Sequence, residues 1–292
     1  MYEKMLESSI AAMSGKDIEN TVIATGDNHP IVEVSDPTST TVEAADVVVG
    51  ERNLDDATAK AEAQIKKAVA FMQATKQCYA IVIEKDTFDV YTLQNVEKND
   101  LTMSREEAIQ TVAAALGEKD AIVSTTGMIS RELFEYRTAM NEGHERDFLT
   151  VGSMGHASQI ALGIALTKQD RKVWCFDGDG ASIMHMGSMA IVANKNPKNY
   201  VHVVFNNGAH DSVGGQPTVG LKIDLPAVSK AVGYKQVYSV NNKEDLLMQL
   251  SNLGDGPVFL EIKVKKGNRK DLGRPTTTPI ENKEALMDFL KK

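Results

Sequence analysis

Cysteine is nearly absent: Cys78 and Cys175 are the only two in 292 residues. That excludes a disulfide scaffold and a thiolate-rich metal cluster, and since both lie in apolar, strand-like runs they are expected to be buried thiols. An excess of positive charge is lacking too. With Asp plus Glu at 40 and Lys plus Arg at 32, the net charge is −8 and there is no basic stripe, so nucleic acid is not an expected partner. No apolar run approaches a membrane span, and no signal-peptide core is present, so a cytoplasmic protein without membrane contact is expected. Internal repeats and low-complexity tracts are also missing. What remains is a hydrophobic share of 42%, enough for one large core or two modest ones.

Residues 1–60 show little periodicity. Met1–Met13 suits a helix, and Thr21–Thr25 and Val47–Val49 suit short strands, but Pro30, Pro37 and the polar run Ser35–Thr41 interrupt any regular pattern. From Leu54 to Ala74 the spacing predicts a helix with Ala61, Ile65, Ala68, Val69 and Met72 on one face, then a buried strand over Cys78–Ile83. A second unit is expected from Thr102, where Ser104 and Glu107 form a capping box ahead of Ala108, Ile109, Val112, Ala113 and Leu116 at helical spacing. Strands are predicted at Ala121–Ser124, Lys172–Asp177, Val201–Phe205, Gln236–Val240 and Val258–Val264. Helices are predicted at Ser130–Met140, from His156, from near Ala181, and over Leu225–Val232, Lys243–Leu253 and Asn282–Lys291. Such alternation predicts an α/β fold with a doubly wound parallel sheet.

The chain is organised around Asp177–Gln216. A strand breaks into Gly178-Asp179-Gly180, and some two dozen residues later a second strand ends in Asn206-Asn207. In a parallel sheet those two strand ends lie side by side, so a carboxylate at 179 and an amide at 207 can converge on one hard cation. The glycines allow close backbone approach, and the helix from near Ala181 offers free N–H groups to an anion, so the site suits Mg²⁺ carrying a diphosphate. The competing readings are a turn aspartate at 179 and a tight hairpin at Asn206-Asn207-Gly208, which the buried strand before it opposes. A dinucleotide-binding Rossmann domain is not expected, because no GxGxxG follows the first strand.

Gly152-Ser153-Met154-Gly155 before His156 is, taken alone, a small-residue turn with Met154 in the core. His210, Asp211, Ser212 and Gln216 follow the second strand in a Gly-rich stretch suited to a lid or pocket wall. His210 is the candidate proton shuttle, with Asp211 beside it, and Ser212 and Gln216 are candidate substrate contacts; surface-loop residues are the alternative. His156, His185 and His202 are expected to be structural. Arg131, Arg137 and Lys222 are candidates to meet an anionic substrate tail, against the competing reading of solvated salt bridges.

GDG, the spacing and NN together resemble the thiamine-diphosphate motif. GSMGHASQIALGIAL, FDGDG and NNGAHDSVGGQPTVG are similar to phosphonopyruvate decarboxylases, with sulfopyruvate decarboxylases as close relatives, over roughly residues 102–266. The resemblance implies the thiamine-diphosphate-binding fold, with a partial second α/β unit at the N-terminus. Residues 1–100 would be a partial or divergent pyrimidine-binding-like domain plus linker, and 101–292 the pyrophosphate-binding domain. It implies Mg²⁺ held by Asp179, the Asn207 side chain and the Ala209 carbonyl. Cofactor contacts are implied at Gly152, Ser153, Met154, Gly178, Asp179, Gly180, Ala181 and Asn207, with Met154 wedged beneath the cofactor and the Gly152 carbonyl holding its amino group. The implied activity is decarboxylation of a 2-oxo acid with an anionic tail, phosphonopyruvate or sulfopyruvate, in a homo-oligomer or with a pyrimidine-domain subunit. The family also implies an activating glutamate. Glu33, Glu43 and Glu51 lie in segments without matching context, so either the chain is truncated or divergent, or another subunit supplies it, or the protein binds cofactor without turnover.

Overall fold

The structure is a computed structural model that describes residues 20–24, 32–36, 54–81 and 100–292. The expected segments Met1–Met13 and Val47–Val49, with Glu43 and Glu51, lie outside the described residues. The chain divides into two compact units, residues 1–97 and 98–292. Among the described residues no helix is long and apolar enough to cross a membrane.

In the first unit, β1 (Asn20–Ala24) pairs antiparallel with β2 (Val32–Asp36), in register Val22 to Val34. The alanine-rich run that follows suits a helix, and α1 spans Leu54–Thr75. Of its expected apolar face only Ala68 is buried; Ile65, Val69 and Met72 are exposed. Two expectations fail beyond it. Residues 76–81 form no strand and Cys78 is exposed, because the chain turns out of the helix at Lys76, with a left-handed φ of 63°, and no described strand lies alongside to bury the run.

The second unit begins with α2 (Arg105–Ala114), β3 (Ala121–Ser124), α3 (Met128–Ala139), β4 (Asp147–Leu149) and α4 (Ala157–Thr167). It continues through β5 (Val173–Gly178), α5 (Asp179–Met184), α6 (Gly187–Lys195) and β6 (Tyr200–Asn206). A two-residue antiparallel pair, β7 (Ala209–His210) and β8 (Gln216–Pro217), is followed by α7 (Leu225–Val232), β9 (Gln236–Val240), α8 (Lys243–Ser251), β10 (Val258–Lys263) and α9 (Pro279–Phe289). Six strands form one wholly parallel sheet in the order β4-β3-β5-β6-β10-β9.

Strands of such a sheet are covered on both faces, which is why they read as unbroken apolar runs. Every residue of β6 is buried. Alternate residues serve opposite cores: Trp174, Phe176 and Val203 pack with Ile109 and Leu133 on one face, while Val173, Cys175 and Val204 pack with Ala161 and Met189 on the other. Caps set the helix ends. Ser104 accepts the Glu107 N–H at 3.1 Å, Gly233 ends α7 in a left-handed conformation, and Thr278 with Glu281 forms a full capping box ahead of α9.

Arg137 is fully buried. Its guanidinium donates to Asp147 at 2.8 and 3.2 Å and to Glu142 at 2.5 Å, so it ties α3 to β4. This corrects the expectation of an arginine that meets substrate or sits in a solvated salt bridge. From β3 the sheet grows one way to β4, and from β5 the other way to β6. The carboxyl ends of β3 and β5 therefore frame the crevice where ligands of such sheets bind.

Candidate functional site

The loops leaving β3, β5 and β6 meet at that crevice in an open cleft of about 420 Å³. Strand β5 runs straight into α5, with Gly178 as N-cap, so the helix starts at Asp179 rather than near Ala181, and it breaks before resuming as α6 at Gly187. Asp179 is buried, accepting from the Thr218 hydroxyl and from the backbone N–H groups of Asn207 and Gly180. Burial pushes its carboxyl up, and those hydrogen bonds only partly offset it. A Cβ at Gly220 would lie 2.3 Å from the Asp179 carboxylate and 2.8 Å from Asn206 Oδ1, so glycine there lets the backbone close over the acid. A Cβ at Gly180 would meet the His210 ring at 2.5 Å, which sets His210 directly on the α5 N-terminus.

The two asparagines after β6 differ in role. Asn206 is pinned in the sheet, donating to the Gly220 carbonyl at 2.8 Å and Glu261 at 2.7 Å. Asn207 lines the cleft: Oδ1 accepts the Ala209 N–H at 3.0 Å and Nδ2 donates to Asp211 at 2.7 Å. No hairpin returns to the sheet here, since β6 lies between β5 and β10 and the next pairing is Ala209 with Pro217. Asp211 also accepts from Arg105 at 2.8 Å, and Arg105 forks onto Glu132 at 2.8 and 2.9 Å. Burial works against the Arg105 charge, but the two carboxylates outweigh it and raise its pKa.

Thr125, at the end of β3, is 3% exposed and lines the same cleft, and its hydroxyl has no hydrogen-bond partner. A buried polar atom left unsatisfied calls for a ligand or water. The cleft thus combines a desolvated carboxylate, an amide oxygen, the Ala209 backbone and an orphan hydroxyl at a helix N-terminus. Hard oxygen donors of this kind fit a divalent cation, and the hydroxyl with the helix N–H groups fits an anion.

Of the residues singled out by sequence, Met154, Gly178, Asp179, Gly180, Ala181, Asn207, Ala209, His210, Asp211 and Ser212 are brought together on the cleft wall. Gly152 and Ser153 do not line it; both are exposed, with φ of 72° and 46°. Gln216 is exposed on β8 and also off the wall. Arg131 is half-buried and Lys222 exposed, neither on the wall. His202 is buried in β6 between Asp177 at 3.3 Å and the Tyr234 hydroxyl at 3.2 Å, and burial pushes the neighbouring Cys175 thiol up. Sequence reading passed over Arg105, Thr125, Glu132 and Thr218. Position alone flags Thr125, one residue past a predicted strand at the ligand edge, whereas nothing local marks Arg105 and Glu132, which meet across 27 residues.

Residues 125–262 match the family described as thiamine pyrophosphate enzyme, C-terminal TPP binding domain. The chain is 38% identical over 193 residues to a phosphonopyruvate decarboxylase of Streptomyces hygroscopicus, covering 65% of this chain and 47% of that protein. It is 40% identical over 180 residues to the phosphonopyruvate decarboxylase of Streptomyces viridochromogenes, covering 61% and 44%. The chain spans about half the length of these two relatives. With the sulfopyruvate decarboxylase subunit beta of Methanothermobacter thermautotrophicus it shares 35% identity over 168 residues, 58% of this chain and 85% of that subunit. The chain belongs to the thiamine pyrophosphate enzymes. The matched domain opens at Thr125 and takes in Asp179, Asn207 and Asp211, so all of the cleft wall but Arg105 lies inside it. Arg105 enters the cleft from outside the match.

Proposed function

We propose that this chain takes part in thiamine-diphosphate- and Mg²⁺-dependent decarboxylation of a 2-oxo acid with an anionic tail, phosphonopyruvate to phosphonoacetaldehyde and CO₂ as the first reading. The observation that carries it is the convergence of Asp179, Asn207 and Ala209 in an oxygen-lined cleft, in a chain whose relatives include phosphonopyruvate decarboxylases. Asp179, Asn207 Oδ1 and the Ala209 carbonyl hold Mg²⁺. The Ala181 N–H and the Thr125 hydroxyl meet the diphosphate, with Gly178 and Gly180 giving it room. Met154 packs against the cofactor, and Gly152 and Ser153, off the cleft wall, contribute backbone groups. Thiamine diphosphate supplies the electron sink for loss of CO₂. His210, set against Gly180, holds and returns a proton on its imidazole, and Ser212 and Gln216 flank the substrate.

Charge at the sheet edge supports an anionic substrate tail. Strand β10 ends at Lys263 beside Asn206, and the chain then carries Lys265, Lys266 and Lys270, while Arg269 is engaged by Glu106, Glu135 and Asp271. The Gly267 N–H reaches Asp211 at 3.0 Å, which brings this basic stretch to the cleft wall. No glutamate lines the cleft among the described residues, and in the second reading a separate pyrimidine-domain subunit supplies the activating one. The second reading, the pyrophosphate-binding subunit of a two-subunit sulfopyruvate decarboxylase, is favoured by the 85% coverage of the beta subunit. The site belongs to a homo-oligomer in the first reading and to a mixed complex in the second, in the cytoplasm in both.

Steady-state release of CO₂ from phosphonopyruvate, sulfopyruvate and pyruvate, with Mg²⁺ and thiamine diphosphate, tests the reading. It predicts kcat/KM about 10–100-fold higher for one anion-tailed substrate than for pyruvate. Equal rates with pyruvate contradict it. Turnover only after a pyrimidine-domain subunit is added selects the second reading, and cofactor binding without any turnover marks a non-catalytic homologue.

Thr125→Val gives a narrower test. Losing one hydrogen bond to a charged group costs about 1.5–3 kcal/mol, so thiamine diphosphate should bind about 10–100-fold more weakly in calorimetry. The hydroxyl has no protein partner, so the cofactor-free protein should melt no lower than the parent.

A further inference from the structure

We infer that Asp211 is a positioning residue: its carboxylate fixes which way the Asn207 amide faces, and so presents Asn207 Oδ1 to the cation. The inference rests on the reading of Asn207 as a metal ligand. It reassigns Asp211 from the catalytic role beside His210 that its sequence position suggested.

An amide side chain has two nearly isosteric orientations, one with oxygen and one with nitrogen toward a given partner. Only the oxygen can ligate a hard cation. Asp211 Oδ2 receives Asn207 Nδ2 at 2.7 Å, Arg105 Nη1 at 2.8 Å and the Gly267 N–H at 3.0 Å. With the Arg105 guanidinium and the Gly267 N–H both donating to it, Oδ2 serves as an acceptor, so it takes the NH₂ end of Asn207 rather than the carbonyl end. Oδ1 is left on the other side, where the Ala209 N–H holds it at 3.0 Å. Both contacts enforce the same orientation.

Asp211 cannot swing away. Its side chain is 8% exposed, and Arg105, itself 5% exposed, is clamped by the fork to Glu132 on α3. The Gly267 N–H closes the third side from the segment after β10. Asp211 Oδ2 is thus fully engaged in holding its three donors, which suits orientation of its neighbour. Partners one step beyond the ligands typically govern 10–100-fold in metal affinity.

The test is a double-mutant cycle on Mn²⁺ binding, read from the free-ion paramagnetic resonance signal with thiamine diphosphate present. The variants are Asp211→Ala, Asn207→Ala and both together, with circular dichroism confirming that each is folded. Asp211→Ala should weaken Mn²⁺ binding about 10–100-fold. The double variant should bind no more weakly than Asn207→Ala alone, because Asp211 acts through Asn207. In Asp211→Ala the rate should recover with excess metal, which a lost proton donor would not allow. Losses that multiply in the double variant, or unchanged binding in Asp211→Ala, overturn the inference. Should Asp211→Ala not fold, Asp211→Asn takes its place in the cycle. A parent protein that binds no Mn²⁺ overturns the metal reading beneath it, and the inference with it.

Discussion

Asp179→Ala should abolish Mg²⁺-dependent binding of thiamine diphosphate while leaving the fold in place. The carboxylate is the one anionic group aimed at the proposed cation, so its loss should exceed the roughly 10–100-fold attached to residues that act through a ligand. Stability should behave differently. Asp179 is buried with neutral donors, the Thr218 hydroxyl and backbone N–H groups, and burial pushes its carboxyl up. Removing a desolvated charge of that kind relieves a penalty as it deletes hydrogen bonds, so the metal-free melting temperature should stay within about 4 °C, or ~1 kcal/mol. Calorimetric titration with thiamine diphosphate and a thermal melt decide it. Unchanged affinity would remove the metal assignment, and a collapsed fold would make Asp179 structural.

Asp147→Ala should be the most destabilising change of those considered, without touching the cleft. It strips Arg137, which is fully buried, of its buried partner and leaves only Glu142, itself 37% exposed. Breaking a buried pair from one side costs about 3–5 kcal/mol. For a domain of this size that lowers the melting temperature by about 6–20 °C. Glu142→Gln, at the solvent side of the same guanidinium, should cost about 1 kcal/mol or less. Equal losses from the two variants, by thermal or urea unfolding, would show that burial of the pair is not what holds α3 to β4.

The strands were the most legible feature, and for a physical reason: a parallel sheet covered on both faces needs unbroken apolar runs, such as Val173–Phe176 and Val201–Phe205. Helix ends were legible where a local cap sets them, as at Ser104 and Gly233. The motif carried the heart of the site because Asp179 and Asn207 sit at strand ends, and strand ends of one sheet edge are neighbours whatever lies between them. The rest depends on contacts that no local pattern encodes. Arg105 looks like any first-turn helical residue until α3 brings Glu132 to it, and Thr218 reaches Asp179 only because glycine at 220 lets the turn fold over the carboxylate. The thiol at Cys78 misled for the converse reason. An apolar run predicts burial only if something lies alongside it, and sequence spacing does not say whether a partner arrives.

The most direct test of the central claim is a calorimetric titration of the parent protein with thiamine diphosphate, in excess Mg²⁺ and again with the metal removed by chelator. Saturable binding that requires the metal, weakened by Thr125→Val and lost in Asp179→Ala, is the result predicted. Binding of equal strength with and without Mg²⁺, or none in either case, would contradict it.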